Sequence, residues 1–212
     1  MAVWFTADTH LGHANIVRFC SRPFLSPREQ ELLAELGPHG KWRVSAETLA
    51  HHDTALLANI NACVQPEDTL WIVGDFCWGG LPEALRYRRR ILCRTVHLIW
   101  GNHDQRSIAS AFQQTYEQTH ITVEGVDLFL NHYPMRTWYK SFHGSWSVYG
   151  HVHGRLQAED QRDVSRLTRD VGVDACGYRP ISFGELAEYM APRLEHFHAR
   201  RAAVLAGADG EL

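Results

Sequence analysis

The stretch Val96-His97-Leu98-Ile99-Trp100-Gly101-Asn102-His103-Asp104 decides how the chain is read. Val96 to Trp100 is a short apolar run of the kind that forms a buried strand. Directly after it come a glycine, an amide, an imidazole and a carboxylate. The arrangement recurs at four other places. Val3 to Ala7 leads into Asp8-Thr9-His10, Thr69 to Val73 into Gly74-Asp75, Val126 to Leu130 into Asn131-His132, and Ser147 to Tyr149 into Gly150-His151-Val152-His153. On an extended segment residues i and i+2 share a face, so the spacing predicts that Asp8 and His10 converge on one point. Open α/β sheets bind ligands at the carboxyl ends of their strands, which predicts that these ends meet in one crevice. Gathering so many polar groups is costly unless a cation balances them.

Between the strands lie helix signals. Ser26-Pro27-Arg28-Glu29 has Ser at N-cap, Pro at N1 and Glu at N3, and Ser45 to Cys63 carries Leu49, Leu56, Leu57 and Ile60 near one helical face. Leu81 to Cys93 and Ser107 to Tyr116 read as two further helices, and Ser182-Phe183-Gly184-Glu185 opens a last one that Pro192 is expected to kink or end. Strand and helix alternate in the first half, which predicts an α/β layer fold. The strand-rich second half predicts a mixed sheet or a second sheet packed on the first. Residues 1–199 are expected to form one domain, and 200–212 a frayed tail with little to bury.

Composition narrows the classes. The chain has 212 residues, 45% hydrophobic, enough for one sizeable core. With 21 Lys and Arg against 24 Asp and Glu the net charge is −3, which argues against a stable nucleic-acid complex. No apolar run approaches the roughly 18 residues of a membrane span, and the N-terminus lacks a basic leader pattern, so a soluble, cytoplasmic protein is expected. The 5 cysteines are scattered without a C-x-x-C pair, which argues against a disulfide framework or a thiolate zinc site. Histidine, at 14 residues, is the unusual component, and imidazole is the commonest metal ligand.

In this order D-x-H, G-D, G-N-H-D, a lone histidine and G-H-x-H resemble the calcineurin-like metallophosphoesterase superfamily, and they span Asp8 to His153. The stretches Thr6-Ala7-Asp8-Thr9-His10-Leu11-Gly12-His13-Ala14-Asn15-Ile16 and Asn131-His132-Tyr133-Pro134 are similar to a small bacterial and phage branch of it. The resemblance implies mixed β-sheets packed as a sandwich flanked by helices, a four-layer αββα fold with the active site at the strand C-terminal ends. It implies two divalent metal ions, one held by Asp8, His10 and His153, the other by Asn102, His132 and His151, with Asp75 bridging. Carboxylate, amide oxygen and imidazole without thiolate suit Mn, Fe, Zn, Ni or Co, and six to seven ligands are too many for one ion. Manganese is the expected activator. The implied reaction is hydrolysis of phosphomono- or phosphodiesters by a hydroxide shared between the ions. His103, outside the ligand set, is the expected acid for the leaving group, and Asp104 is expected to orient it.

Weaker signals surround these motifs. His13 and Asn15 follow the first motif and either reach a substrate phosphate or cap a helix. Arg136, Trp138, Lys140 and His143 lie in an expected loop over the site, where Arg136 and Trp138 are candidates to hold phosphate and to stack on a base or sugar. Phe76-Cys77-Trp78-Gly79-Gly80 departs from the polar stretch common in the superfamily, with Cys77 read as a small buried residue. Arg86-Tyr87-Arg88-Arg89-Arg90 reads as a solvated helix face. Asp174 and Tyr178-Arg179-Pro180 suggest a structural turn or pocket wall. A nuclease acting on single strands at the same site is the alternative enzyme, distinguished by salt dependence on oligonucleotides. A non-catalytic metal-binding scaffold is the alternative from another class; such chains lose ligands, whereas every implied ligand position is filled here.

Overall fold

The computed structural model describes residues 1–207. In chain order the elements are β1 (Val3–Thr6), α1 (Ala14–Phe19), α2 (Pro27–Leu36), α3 (Ala46–Cys63), β2 (Thr69–Val73), α4 (Leu81–Arg88), β3 (Thr95–Ile99), β4 (Gln114–Tyr116), β5 (Gln118–Val123), β6 (Val126–Asn131), β7 (Trp146–Tyr149), α5 (Gln157–Arg162), β8 (Thr168–Asp170), β9 (Ile181–Ser182) and α6 (Phe183–Leu205). One sheet has the order β4-β3-β2-β1-β9 and the other β5-β6-β7-β8. In the first, β1 to β4 run parallel and β9 returns antiparallel beside β1. In the second, β5 and β6 are antiparallel, and β6, β7 and β8 are parallel.

Alternation along the central strands divides their side chains between two cores. Leu70, Ile72, Val96 and Leu98 pack with Leu56 and Ile60 of α3 and Ala84 and Tyr87 of α4. Trp71, Val73, Ile99 and Phe5 pack instead with Leu128, Leu130 and Val148 of the second sheet and Leu186 and Met190 of α6. Both faces of the first sheet are therefore covered, which is why its strands read as unbroken apolar runs. The result is two sheets flanked by helices, as expected. A smaller cluster of Ile16, Val17, Leu25, Trp42 and Val44 ties α1 and α2 to the segment before α3. Ser26 and Glu29 form the expected capping box, and Glu29 also accepts the Ser45 N–H and the Thr48 hydroxyl, joining the starts of α2 and α3.

Three boundaries differ from the sequence reading. Ser107 to Tyr116 is not a helix: a 3₁₀ turn spans Arg106–Ala111, and Gln114–Tyr116 pairs with the edge of β3, where hydrogen bonding to the sheet outweighs local helical pattern. Helix α4 stops at Arg88, whose guanidinium caps the Ile91, Cys93 and Arg94 carbonyls, so this member of the basic run is a structural clamp. Pro192 does not end α6, which runs to Leu205 and so includes the first residues of the expected tail. Arg193, buried beside Pro192, holds the helix by donating to the Asp160, Asp163 and Arg166 carbonyls. The rest of that tail, from 208 on, lies outside the described residues.

Candidate metal centre

The loops leaving β1 and β2 are laced together beyond the sheet. Asp8, His10 and Leu11 donate their N–H groups to the carbonyls of Gly74, Asp75 and Phe76. Asp8 and His10 converge, but not on an extended segment: β1 ends at Thr6, and φ is 56° at Asp8 and 48° at His10. Asp75, His151 and His153 are left-handed as well, at 57°, 72° and 50°. Such backbone costs of order 1–3 kcal/mol per residue and persists only where surrounding bonds over-determine it. Here they do. The Asp8 carboxylate accepts the His151 N–H at 3.0 and 2.9 Å, and Asp75 Oδ1 accepts the His103 N–H at 2.9 Å. The loops approach so closely that a Cβ on Gly101 would lie 2.2 Å from Asp75 Oδ1, and one on Gly74 2.1 Å from His132 Nδ1.

Asp75 Oδ2 stands 3.3 Å from His10 Nε2 and 3.4 Å from His132 Nε2. On one side of it Asp8, His10 and His153 bring ligand atoms within 4.8 Å of one another, and Asp8, Asp75 and His132 form a second such group. On the other side Asn102 Oδ1 lies 3.1 Å from His132 Nε2 and 3.0 Å from His151 Nδ1. His132 points Nε2 inward because Nδ1 faces the Val73 carbonyl at 2.9 Å. A divalent cation fits this set: His10 Nε2 is buried without a hydrogen-bond partner, despite Asp75 nearby, and the donors are carboxylate, amide oxygen and imidazole.

The electrostatics show the same deficit of positive charge. Burial pushes the Asp8 carboxyl up to about 7 against the pull of His132 and His153. Burial drives His10 down to about 2, leaving its imidazole neutral. Burial also opposes charge on Asp75, yet the hydrogen bond from His132 and its positive charge hold that carboxyl below the usual range. His132 is correspondingly raised, burial being overcome by Asp75 and Asp8. Asp75 and Asp8 thus favour positive charge at His132, the kind of charge a bound cation would supply.

A model of the calcineurin-like phosphoesterase family matches residues 1–175. The chain belongs to this family. Its two ligand clusters are those of a dinuclear-metal phosphoesterase site, and the phosphoesterase is a metal-dependent hydrolase. An uncharacterised protein of Methanocaldococcus jannaschii is 25% identical to it over 182 residues, covering 85% of this chain and 86% of that one. The gene 66 protein of mycobacteriophage L5 is 23% identical, over 92% of this chain and 95% of its own. A crystal structure of a protein of unknown function from Aquifex aeolicus shares the fold, with a TM-score of 0.60 and 24% identity over 88% of this chain and 98% of that one.

Several other candidate residues of the phosphoesterase stand differently from the sequence reading. Asp104 does not orient His103: its carboxylate accepts the backbone N–H groups of Asp75 at 2.8 Å, Phe76 at 2.9 Å and Gly101 at 3.0 Å. His103 is exposed, with its ring 5.1 Å from that of His10 in an edge contact. His13 occupies the N-cap position of α1 without a side-chain capping bond, and its ring lies 5.5 Å from His10. Burial, reinforced by His103, lowers His13 to about 4. Asn15 is exposed beside Arg18, Lys41 and Arg43. Arg136 and Trp138 line a cavity of ≈ 810 Å³ with Phe197 and Arg200, which none of the metal-ligand candidates lines. Trp138 is anchored there by the apolar core and by an indole N–H bond to the Ser145 carbonyl at 3.1 Å, in a cavity apart from the ligand candidates.

Sequence reasoning missed the shell behind the ligands. Asp174 Oδ2 lies 2.7 Å from His153 Nδ1, and Arg22, 1% exposed, donates to both Asp174 oxygens at 2.9 and 2.7 Å. Arg22 also reaches the carbonyls of Asp8 and Thr9 and His52 Nε2. Despite burial, the hydrogen bond with Asp174 raises His153 to about 10, so its imidazole is strongly basic. Cys20 lies in a group with His153 and Asp174, but Asp174 is already committed to Arg22. Asp174 was visible only as part of an unexplained turn, and a lone arginine such as Arg22 carries no local signal.

Proposed function

We propose that the chain hydrolyses phosphomono- or phosphodiesters, with nucleotide-like esters among its substrates. Asp8, His10 and His153 would hold one ion, Asn102, His132 and His151 the second, and Asp75 would serve both. The observation that carries this reading is Asp75 Oδ2 standing between His10 Nε2 and His132 Nε2. When bound, two divalent ions supply an activated water and offset charge on the phosphoryl oxygens. Hydrolysis adds the elements of water across the ester P–O bond, hydroxyl to phosphorus and a proton to the departing oxygen; His103 would deliver that proton and recover one from the water. Asp104 acts through Asp75, whose backbone it positions, and Asp174 acts through His153. Manganese is the proposed metal, residues 1–199 the catalytic unit, and the cytoplasm its compartment. Among the described residues no helix is long and apolar enough to cross a membrane.

The test is a screen of p-nitrophenyl phosphate, bis-p-nitrophenyl phosphate and 2′,3′-cyclic nucleotides after reconstitution with Mn, Ni or Co. Hydrolysis of at least one, abolished in Asp75→Asn, is expected. Two bound metals with no turnover on any of them would overturn the reading.

A further inference from the structure

An exposed indole stands beside the ligand cluster. Trp78 is 52% exposed, although tryptophan has the largest apolar surface to bury. Its ring lies on that of His13, with centroids 4.4 Å apart and planes 15° from parallel. One face is thus covered by His13, while about half of the residue remains open to solvent. Rings lead from it to the centre: Trp78 is 5.9 Å from His103, and His13 is 5.5 Å from His10. The backbone beneath it is fixed, because the Trp78 N–H donates to the Leu11 carbonyl at 2.8 Å, and Leu11 also bridges Cys77. The indole is therefore carried by the same laced loops that carry Asp8, His10 and Asp75. Tyr133, also exposed, stands instead against His132 and His151, at 5.1 and 4.7 Å.

A flat ring held exposed beside a polar centre is matched by another flat ring. Which part of the substrate brings that ring follows from His103. If His103 protonates the departing oxygen, the leaving group lies on the His103 side of the phosphorus, and that is the side of Trp78 rather than of Tyr133. We propose that Trp78 determines specificity by stacking its exposed ring on a leaving group that carries a planar aromatic ring, an aryl alcohol or a nucleoside. The inference rests on the phosphoesterase reading and on His103 as its acid.

The test compares phenyl and cyclohexyl esters of phosphate, otherwise identical, in Mn-reconstituted wild type, Trp78→Ala and Trp78→Phe. In Trp78→Ala the loss of kcat/KM on the phenyl ester exceeds that on the cyclohexyl ester by about tenfold, mostly through KM, and Trp78→Phe recovers most of it. Calorimetric titration with phenylphosphonate and methylphosphonate, which are not hydrolysed, gives the same selective weakening. Equal losses for the two esters, or equal weakening for the two phosphonates, overturn the role of Trp78 and leave the phosphoesterase reading intact. Wild-type protein that hydrolyses neither ester nor any substrate of the screen above overturns that reading, and this inference with it; where only the screen's diesters are hydrolysed, the phosphonate titrations decide the role of Trp78.

Discussion

Asp104 Oδ2 accepts the backbone N–H of Asp75 at 2.8 Å, so an acid that follows one strand sets the position of an acid that follows another. With Phe76 and Gly101 also donating to it, Asp104 gathers three N–H groups at the centre of the site. Asp104→Ala leaves all three unsatisfied, and a loss on the order of 3 kcal/mol in stability is expected, with weaker metal binding alongside. Denaturant unfolding and calorimetric metal titration check both. Had Asp104 merely oriented the exposed His103, stability would be unchanged.

His103→Gln removes the proposed acid without touching a ligand. Both metals should remain bound while kcat falls by about 10²–10⁴-fold, most for esters with poor leaving groups. Metal content by mass spectrometry together with a leaving-group series decides this. Full activity on an unactivated ester would remove His103 from the mechanism.

Asp174→Asn keeps the size of the side chain but withdraws the negative charge that orients His153 and pairs with buried Arg22. Metal affinity should drop by about 10–100-fold, as for other groups that hold a ligating histidine from behind. Metal titration followed by activity at saturating metal separates lost affinity from lost turnover.

Glu29 gives a prediction away from the site. Burial opposes its charge, but N–H and hydroxyl donors of Ser26, Ser45 and Thr48 hold its carboxyl at about 2, against an ordinary 4.5. Because the folded value is the lower, its stabilisation is present above pH 4.5 and is lost as pH falls through about 2. Glu29→Gln should therefore be less stable than wild type by roughly 2–3 kcal/mol at pH 7, and that gap should narrow between those two pH values. Paired unfolding curves across the acid range measure it.

The legible parts of the fold are those whose signal is local. Thr69–Val73 and the capping box at Ser26 and Glu29 were read correctly because a buried strand is apolar throughout and a helix start has its own chemistry. Strand β4 was missed because Gln114-Thr115-Tyr116 carries little hydrophobic pattern and becomes a strand by pairing with β3. In β5 only alternate residues are partly covered, and one of the three is Thr119, so its period is weak.

The sequence by itself determined the kinds of residue at five strand ends and their order, and with them the carboxylate, amide and imidazole donors from which a family resemblance could be recognised. Tertiary structure alone decided how those donors are held. The left-handed backbone at Asp8, His10, Asp75, His151 and His153 is maintained by hydrogen bonds between loops far apart in the chain. Asp104 turned out to serve Asp75 rather than its neighbour His103, and Arg22 joined Asp174 across 152 positions to stand behind His153. The physical reason is the same in each case: residue type fixes what a group can donate or accept, whereas the partner it meets is set by which loops the two sheets bring together.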